Sequence, residues 1–472
     1  PDTYRWRLNT FSDVVRPAVW DLLGRHELRS GVFFVPFTFP VKPLPGVMIS
    51  GAFGPGRWEE RSFYPPEQVD AFRDAFPEEA LFGARKQEGL TLAEIADRMV
   101  AGIEQQTAAM DMAFRTNDLD FVFLVWHDTD KAAHLFWHFS ELPCPDVDSP
   151  ICRVYQAVDR GIGRLLETLG GDPLIIVCSD HGTYPIHHRV QTHVWLAREG
   201  WLEPKTAARS VGRAARAWNR MPGPIRSLVP LSARKAVYER VAQPPRSPKE
   251  GIGPVQWDRT KAYVGPGTGE SFWLNVMGRE PQGAVPPEAM DEHLEELGAA
   301  LLALETPDGE KAVQAVWRRE DLYHGPHAGL GPDLVAETTT GTMFAPSVKK
   351  LARAHTAELI TIPKKPDLTS DGSRPLGYHQ RDGVVIVSGP GIAIRDDIYA
   401  DVTDVTPTIL RYLDLPAPRD LDGRAIEDAF VELPKARWSD DEVATTEARS
   451  TPLTADEEAD ISEHLRALGY LE

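Results

Sequence analysis

The chain has 472 residues, with 51 Lys+Arg against 70 Asp+Glu and a formal net charge of −19. Hydrophobic residues make up 42% and charged residues 26%, a folded globular composition that argues against a disordered, collagen-like or disulfide-scaffold chain. The acidic balance argues against a general nucleic-acid binder, which needs basic surface to face a phosphate backbone.

The elements follow in chain order. Thr10 and Ser12 stand before an apolar segment, Val14 to Leu23, and are expected to cap a helix there. Val32-Phe-Phe-Val-Pro36 is a short strand candidate. Thr91-Leu-Ala-Glu94 forms a capping box, and Leu92, Ile95, Met99, Ile103 and Met110 behind it recur at helical spacing. Asp120-Phe-Val-Phe-Leu-Val-Trp126 is a continuous apolar run, the pattern of a strand covered on both faces. Ser149-Pro150 supplies an N-cap and a first-turn proline. Ile151, Val154, Tyr155, Val158, Ile162, Leu165 and Leu166 then mark one helix face, which Gly170-Gly171 ends. A further buried strand is expected over Pro173–Ser179, a weaker one over Asp333–Glu337, and another over Gly383–Ser388. Helix, short turn and buried strand in succession is α/β architecture with a mostly parallel sheet and helices on both faces.

Between Glu203 and Glu250 basic residues dominate, and Arg209, Arg213, Arg216 and Arg220 share a helical face. Prolines break the stretch into pieces. It is expected to be a helical insertion or cap over 205–250, whose basic surface is either solvated or turned toward an anionic ligand. The expected domain plan is therefore a discontinuous α/β domain over 1–204 and 251–431, the 205–250 insertion, and an acidic linker with a docking helix over 432–472. Three cysteines, Cys144, Cys152 and Cys178, are too few and too odd for a disulfide framework, and a cytoplasmic location is expected. No apolar run approaches the roughly 18 to 20 residues that cross a bilayer.

Three segments carry chemistry. His127-Asp-Thr-Asp130-Lys-Ala-Ala-His134 follows one apolar run, Asp180-His181-Gly182 follows another, and Gly377-Tyr-His379 precedes a third. Loops at the carboxyl edge of a parallel sheet converge on a crevice, so the first two groups are expected to meet in space. His379 joins them only if its strand runs antiparallel or its loop folds over the edge. Asp130 and His134, four apart, share one helix face and can hold one ion; Asp128 competes with Asp130, and spacing favours Asp130. Asp180 and His181 diverge as neighbours unless a sharp turn aims both inward. Aspartate with histidine suits zinc, or manganese where oxygen ligands dominate. His134 with His138 could instead line an aromatic helix face, and His187, His188 and His193 are read as surface or supporting histidines.

Asp130-Lys-Ala-Ala-His134-Leu-Phe-Trp137, Ser179-Asp-His-Gly182 and Gly377-Tyr-His379-Gln-Arg-Asp-Gly383, in this order, resemble the alkaline phosphatase superfamily. The branch is that of type I phosphodiesterases and nucleotide pyrophosphatases, with its bacterial predicted phosphohydrolase/phosphomutase relatives. Trp257-Asp-Arg-Thr-Lys-Ala-Tyr263, Asn275-Val-Met-Gly-Arg-Glu-Pro281 and Asp404-Val-Thr-Pro-Thr-Ile-Leu410 extend the similarity over most of the chain.

The resemblance implies an alkaline-phosphatase-like α/β fold and hydrolysis of a small-molecule phosphoric ester. It implies two divalent cations, zinc or manganese, one held by Asp130, His134 and His379 and the other by Asp180 and His181. A further Asp and a Thr or Ser nucleophile at a helix start belong to the pattern, and these are expected upstream of Pro1. The alternatives are a metal-binding but catalytically incomplete protein and a phosphomutase on the same scaffold. A sulfatase would need a modifiable cysteine or serine signature, which surrounds none of the three cysteines. No motif points to a nucleic-acid partner or a transmembrane segment, and oligomeric state is silent.

Overall fold

The computed structural model describes residue 4 and residues 9–82, 89–139, 149–205, 255–265, 269–346, 348–351, 354, 357–364, 367–370, 376–439 and 453–467. The chain divides into two compact units. One, the site unit, comprises Asn9–Pro185 and Lys365–Gly469; the second comprises Pro1–Leu8, Ile186–Lys364 and Tyr470–Glu472. These boundaries cut through the stretch expected to be a single discontinuous domain, because each unit closes a separate apolar core. The 205–250 insertion lies, beyond Lys205, outside the described residues.

In the site unit, β1 (Ser30–Val35), β2 (Gly46–Ser50), β3 (Phe63–Tyr64) and β4 (Phe121–Leu124) form a sheet of order β3-β2-β1-β4. β1 pairs in parallel with both β2 and β4, and β3 runs antiparallel to β2. After β4 come β5 (Ile175–Cys178) and β6 (Gly182–Pro185). Helix α1 (Val19–Gly24) lies on one face of the sheet. On the other, α2 (Leu92–Thr116), α3 (Asp128–Phe136) and α4 (Pro150–Leu169) pack their apolar faces. The caps that set α2 and α4 are the expected ones. The Thr91 hydroxyl accepts from the Glu94 amide while Glu94 accepts from the Thr91 amide, and the Ser149 hydroxyl accepts from Cys152. Leu92, Ile95, Met99, Ile103 and Met110 are all buried. Tyr155 departs from its helix face and is 52% exposed.

Two expectations shift. The first helix begins at Val19, not Val14, because Pro17 has no amide to join a helix through that point. Thr10 caps a separate short 3-10 turn, Phe11–Asp13. β4 and β5 are apolar along their length yet only half-buried or exposed, since β4 is an edge strand among the described residues and β5 pairs with one neighbour.

The second unit holds β7 (His188–Gln191), β8 (Ala262–Val264), β9 (Ser271–Leu274), β10 (Val313–Arg318), β11 (Leu334–Thr338), β12 (Thr342–Ala345) and β13 (Ile360–Thr361). Helices α5 (Thr192–Arg198) and α6 (Met290–Ala303) contribute to its core with Trp195, Phe272, Leu297 and Phe344. Its four-stranded sheet, β10-β11-β9-β8, is antiparallel throughout. The parallel pairing expected for the whole chain is thus concentrated in β2-β1-β4, with two further parallel strand pairs among the described residues, β7 with β12 and the short strands Ala417–Pro418 and Trp438–Ser439.

The chain then returns to the site unit. β14 (Gly377–Gln380) pairs antiparallel with β6, and β15 (Val385–Ser388) antiparallel with β5. α7 (Val405–Tyr412) packs beside α1, and α8 (Ala455–Ala467) docks through Arg61–Glu457 and Arg57–Asp460 ion pairs. No helix among the described residues is long and apolar enough to cross a membrane.

Candidate metal centre

The apolar run into Trp126 ends β4, and the polar His127-Asp-Thr-Asp130 that follows opens α3 directly at the carboxyl edge of the sheet. Asp130 and His134, one turn apart, share a helix face. His134 Nε2 stands 3.4 Å from Asp130 Oδ1. β15 runs antiparallel to β5, which carries the chain before β15 to the end of β5 that bears Asp180 and His181. There β14 pairs with β6 and sets His379 opposite Thr183. This resolves the placement of His379: its strand is antiparallel, and it reaches the edge.

His379 Nε2 lies 3.0 Å from His134 Nε2 and 3.3 Å from Asp130 Oδ1. His181 stacks on His379 with ring centroids 3.7 Å apart, and its Nε2 is 4.0 Å from Asp130 Oδ1. Ligand atoms of Asp130, His181 and His379 all lie within 4.8 Å of one another. Asp180 does not join them: its side chain is 81% exposed, with Oδ1 3.7 Å from His181 Nε2. Four of the five residues singled out in the sequence therefore meet, and the fifth stands at the rim.

The ring orientations are fixed from behind. His134 Nδ1 is 2.7 Å from the Gly377 carbonyl, to which it donates, leaving the Nε2 lone pair facing Asp130 and His379. His181 Nδ1 likewise sits 3.0 Å from the Gly182 carbonyl. Burial would raise the Asp130 carboxyl, but the His379 contact and the charges of His134 and His127 outweigh it and hold the group well below the usual carboxylate range. Burial lowers His134, so it stays neutral, the form in which imidazole binds a cation. The donor set, imidazole nitrogen and carboxylate oxygen on opposed elements, suits zinc or manganese.

His127 is the residue the sequence did not single out, although it is the first polar residue after the strand. Burial pushes it down to about 4, and its Nε2 is 3.6 Å from Asp130 Oδ2. Asp128, the competitor of Asp130, turns away and faces Lys131 at 3.5 Å. His127, Asp128 and Lys131 line a small cavity of about 30 Å³ with Phe34, Gly51 and Gln106. Burial, with the Asp130 charge adding to it, raises the Tyr155 phenol, so α4 also lies within the field of the site. His138 packs on Phe139 in the turn after α3. In the second unit, His188 pairs with Asp308 at 3.0 Å, whereas His193, expected at a surface or supporting position, is sealed in the core.

A family model described as type I phosphodiesterase / nucleotide pyrophosphatase matches residues 2–358. The protein is a hydrolase acting on phosphoric ester bonds, with an alkaline-phosphatase-like α/β fold. The chain belongs to the type I phosphodiesterase / nucleotide pyrophosphatase family. No curated protein matches it. Among solved structures it is similar to phosphonoacetate hydrolase from Sinorhizobium meliloti 1021 in complex with phosphonoformate. That match has 13% identity and a TM-score of 0.37, over 81% of this chain and 70% of the other.

Proposed function

We propose that this hydrolase is metal-dependent and that Asp130, His134 and His379 hold a divalent cation, zinc or manganese, with His181 beside them. The observation that carries the reading is the mutual approach of Asp130 Oδ1, His134 Nε2 and His379 Nε2 to 3.0–3.4 Å. His134 donates through its other nitrogen, so its Nε2 needs a proton from His379 or a shared cation to face that ring at such a distance. The resemblance calls for a second cation, for which Asp180 and His181 are the candidates.

The substrate is a small phosphoric ester. Its oxygens repel a nucleophile, and bound cations would supply the positive charge that offsets this repulsion. The protein's own part is to keep Asp130 ionised, to keep His134 neutral, and to hold four side chains from α3, β14 and the turn after β5 in one place. The reading also calls for a hydroxyl nucleophile. A second reading, a protein that binds metal without completing the reaction, draws on Asp180, whose exposed carboxylate stands outside the cluster.

The test is metal content by elemental analysis of the purified protein and of Asp130→Ala and His379→Ala, with turnover of 4-nitrophenyl phosphate mono- and diesters. Each substitution is expected to weaken zinc or manganese binding by at least about tenfold. Retention of metal by both variants would overturn the assignment. Metal binding without turnover of any ester would favour the second reading.

A further inference from the structure

β1, β2 and β4 are parallel, so the loops after β1 and β2 leave the sheet at the same edge as the loop that carries His127 and Asp130. There three phenylalanines adopt the left-handed backbone region: Phe34 near the end of β1 at φ 58°, and Phe37 and Phe53 on the two loops at φ 61° and φ 66°. A bulky residue there is strained, and such positions persist where the surroundings over-determine them, most often at ligand sites. The strain is built in. Phe34 lies at a bulge in β1, the Phe37 amide donates to Ala52 at 3.1 Å, and the Thr38 hydroxyl ties Val35 to Gly51.

The result is an aromatic pair. The Phe37 and Phe53 rings stack at 4.5 Å and 24°, and Phe37 remains 47% exposed. Phe53 meets His127 edge-on at 5.5 Å, and His127 is in turn 3.6 Å from Asp130. His127 also lines the small cavity with Gly51, Ala52 and Gln106, and among the described residues Gln106 Oε1 and His127 Nδ1 are buried polar atoms without a partner. An exposed flat ring, held on strained backbone one imidazole away from the candidate metal centre, has little structural use. It has an evident use as a wall for another ring.

We propose that Phe37 and Phe53 form the leaving-group platform of the site, taking the planar aromatic group of an aryl or heteroaryl phosphoric ester whose phosphoryl end lies at Asp130, His134 and His379. The inference rests on the metal-centre reading and adds the substrate class. Extending a ring stack rewards flatness and aromaticity, not apolar area alone. An aliphatic leaving group of equal size gains the area and not the stack.

The experiment uses the whole chain loaded with zinc, with zinc content measured for every sample. Phenylphosphonate, cyclohexylphosphonate and methylphosphonate are titrated calorimetrically. Phenylphosphonate is expected to bind about fivefold more tightly than cyclohexylphosphonate. Phe37→Leu, which keeps bulk and backbone demand but no π face, should bring that ratio close to one, and Phe37→Ala should do the same. A ratio near one in the unaltered protein, or a ratio that survives both substitutions, overturns the platform while leaving the metal centre in place. Loss of zinc uptake, or no binding of any phosphonate by zinc-loaded protein, would instead sink the metal-centre reading and the platform with it.

Discussion

A Cβ on Gly377 would lie 2.2 Å from the Ala133 carbonyl oxygen of α3, a contact no side chain tolerates. The glycine lets β14 close on α3, and that closure makes two bonds: His134 Nδ1 to the Gly377 carbonyl at 2.7 Å, and the Leu376 amide to the His134 carbonyl at 2.6 Å. Both must lengthen if β14 is pushed away, and His379 moves with its strand. Gly377→Ala is therefore expected to cost about 1–3 kcal/mol of stability through overpacking and about tenfold or more in metal affinity through loss of the orienting bond. Urea unfolding and zinc competition titration read the two effects separately. Gly163→Ala is the control. That glycine sits on the exposed side of α4 with no atom within 4 Å of an added Cβ, and alanine there should be neutral or stabilising by about 0.5–1 kcal/mol. Equal losses in the two variants would show that the Gly377 contact has no special part in the site.

The elements differ in how plainly the sequence declares them. α2 and α4 were legible because their starts are local chemistry: Thr91 with Glu94, and Ser149 with Pro150, satisfy amides that any helix leaves unpaired. Asp130 and His134 were legible for the same reason, since four residues on a helix is one face. β14 was not legible. Gly377-Tyr-His379-Gln380 has neither an apolar run nor clean alternation, and it is a strand because β6 offers it an antiparallel edge. Nothing local to Asp180 announces that its side chain would stand outside the cluster while His181 turns in. The first helix starts five residues beyond Val14 because Pro17 interrupts the apolar segment. In the second unit the antiparallel sheet is not legible in the sequence because its strands are short and of mixed polarity, and a buried charge helps tie them. Asp333, with a side chain 1% exposed, accepts from Arg279 at 2.6 Å, from the Leu274 amide at 2.7 Å, and from Arg319. Removing the acid takes the shared carboxylate from two guanidinium groups, which keep Glu280 and backbone carbonyls, and takes the acceptor from the Leu274 amide. Asp333→Ala is expected to destabilise this sheet by about 3–5 kcal/mol. Hydrogen exchange at β9 and β11 locates the loss; unchanged protection there would mean that packing, not the ion cluster, holds the strands.

At the scale of the whole molecule the two units answer to different variables. A cation that binds the folded site and not the unfolded chain stabilises the unit holding the site, by RT ln(1 + [L]/Kd), which is about 2.7 kcal/mol at a hundredfold excess over Kd. Added zinc should therefore slow exchange in α3, β14 and the turn after β5. The second unit carries a pH response of its own. His193 is buried, neither ring nitrogen has a partner among the described residues, and burial pushes it down to about 4. An unfolded histidine titrates near 6.5. Between those two values the unfolded state binds the proton and the folded state does not, so stability is intact above pH 6.5 and is lost as the pH falls toward 4. For one group the loss is about 3 kcal/mol over that window. In the site unit the lowered His127 and His134 act with the same sign. Acid should thus loosen both units, and His193→Phe should flatten the loss in the second unit alone. Exchange measured at pH 6.5 and 4.5, resolved by segment, makes the distinction. A second unit equally labile to acid with and without the imidazole would place the proton uptake elsewhere.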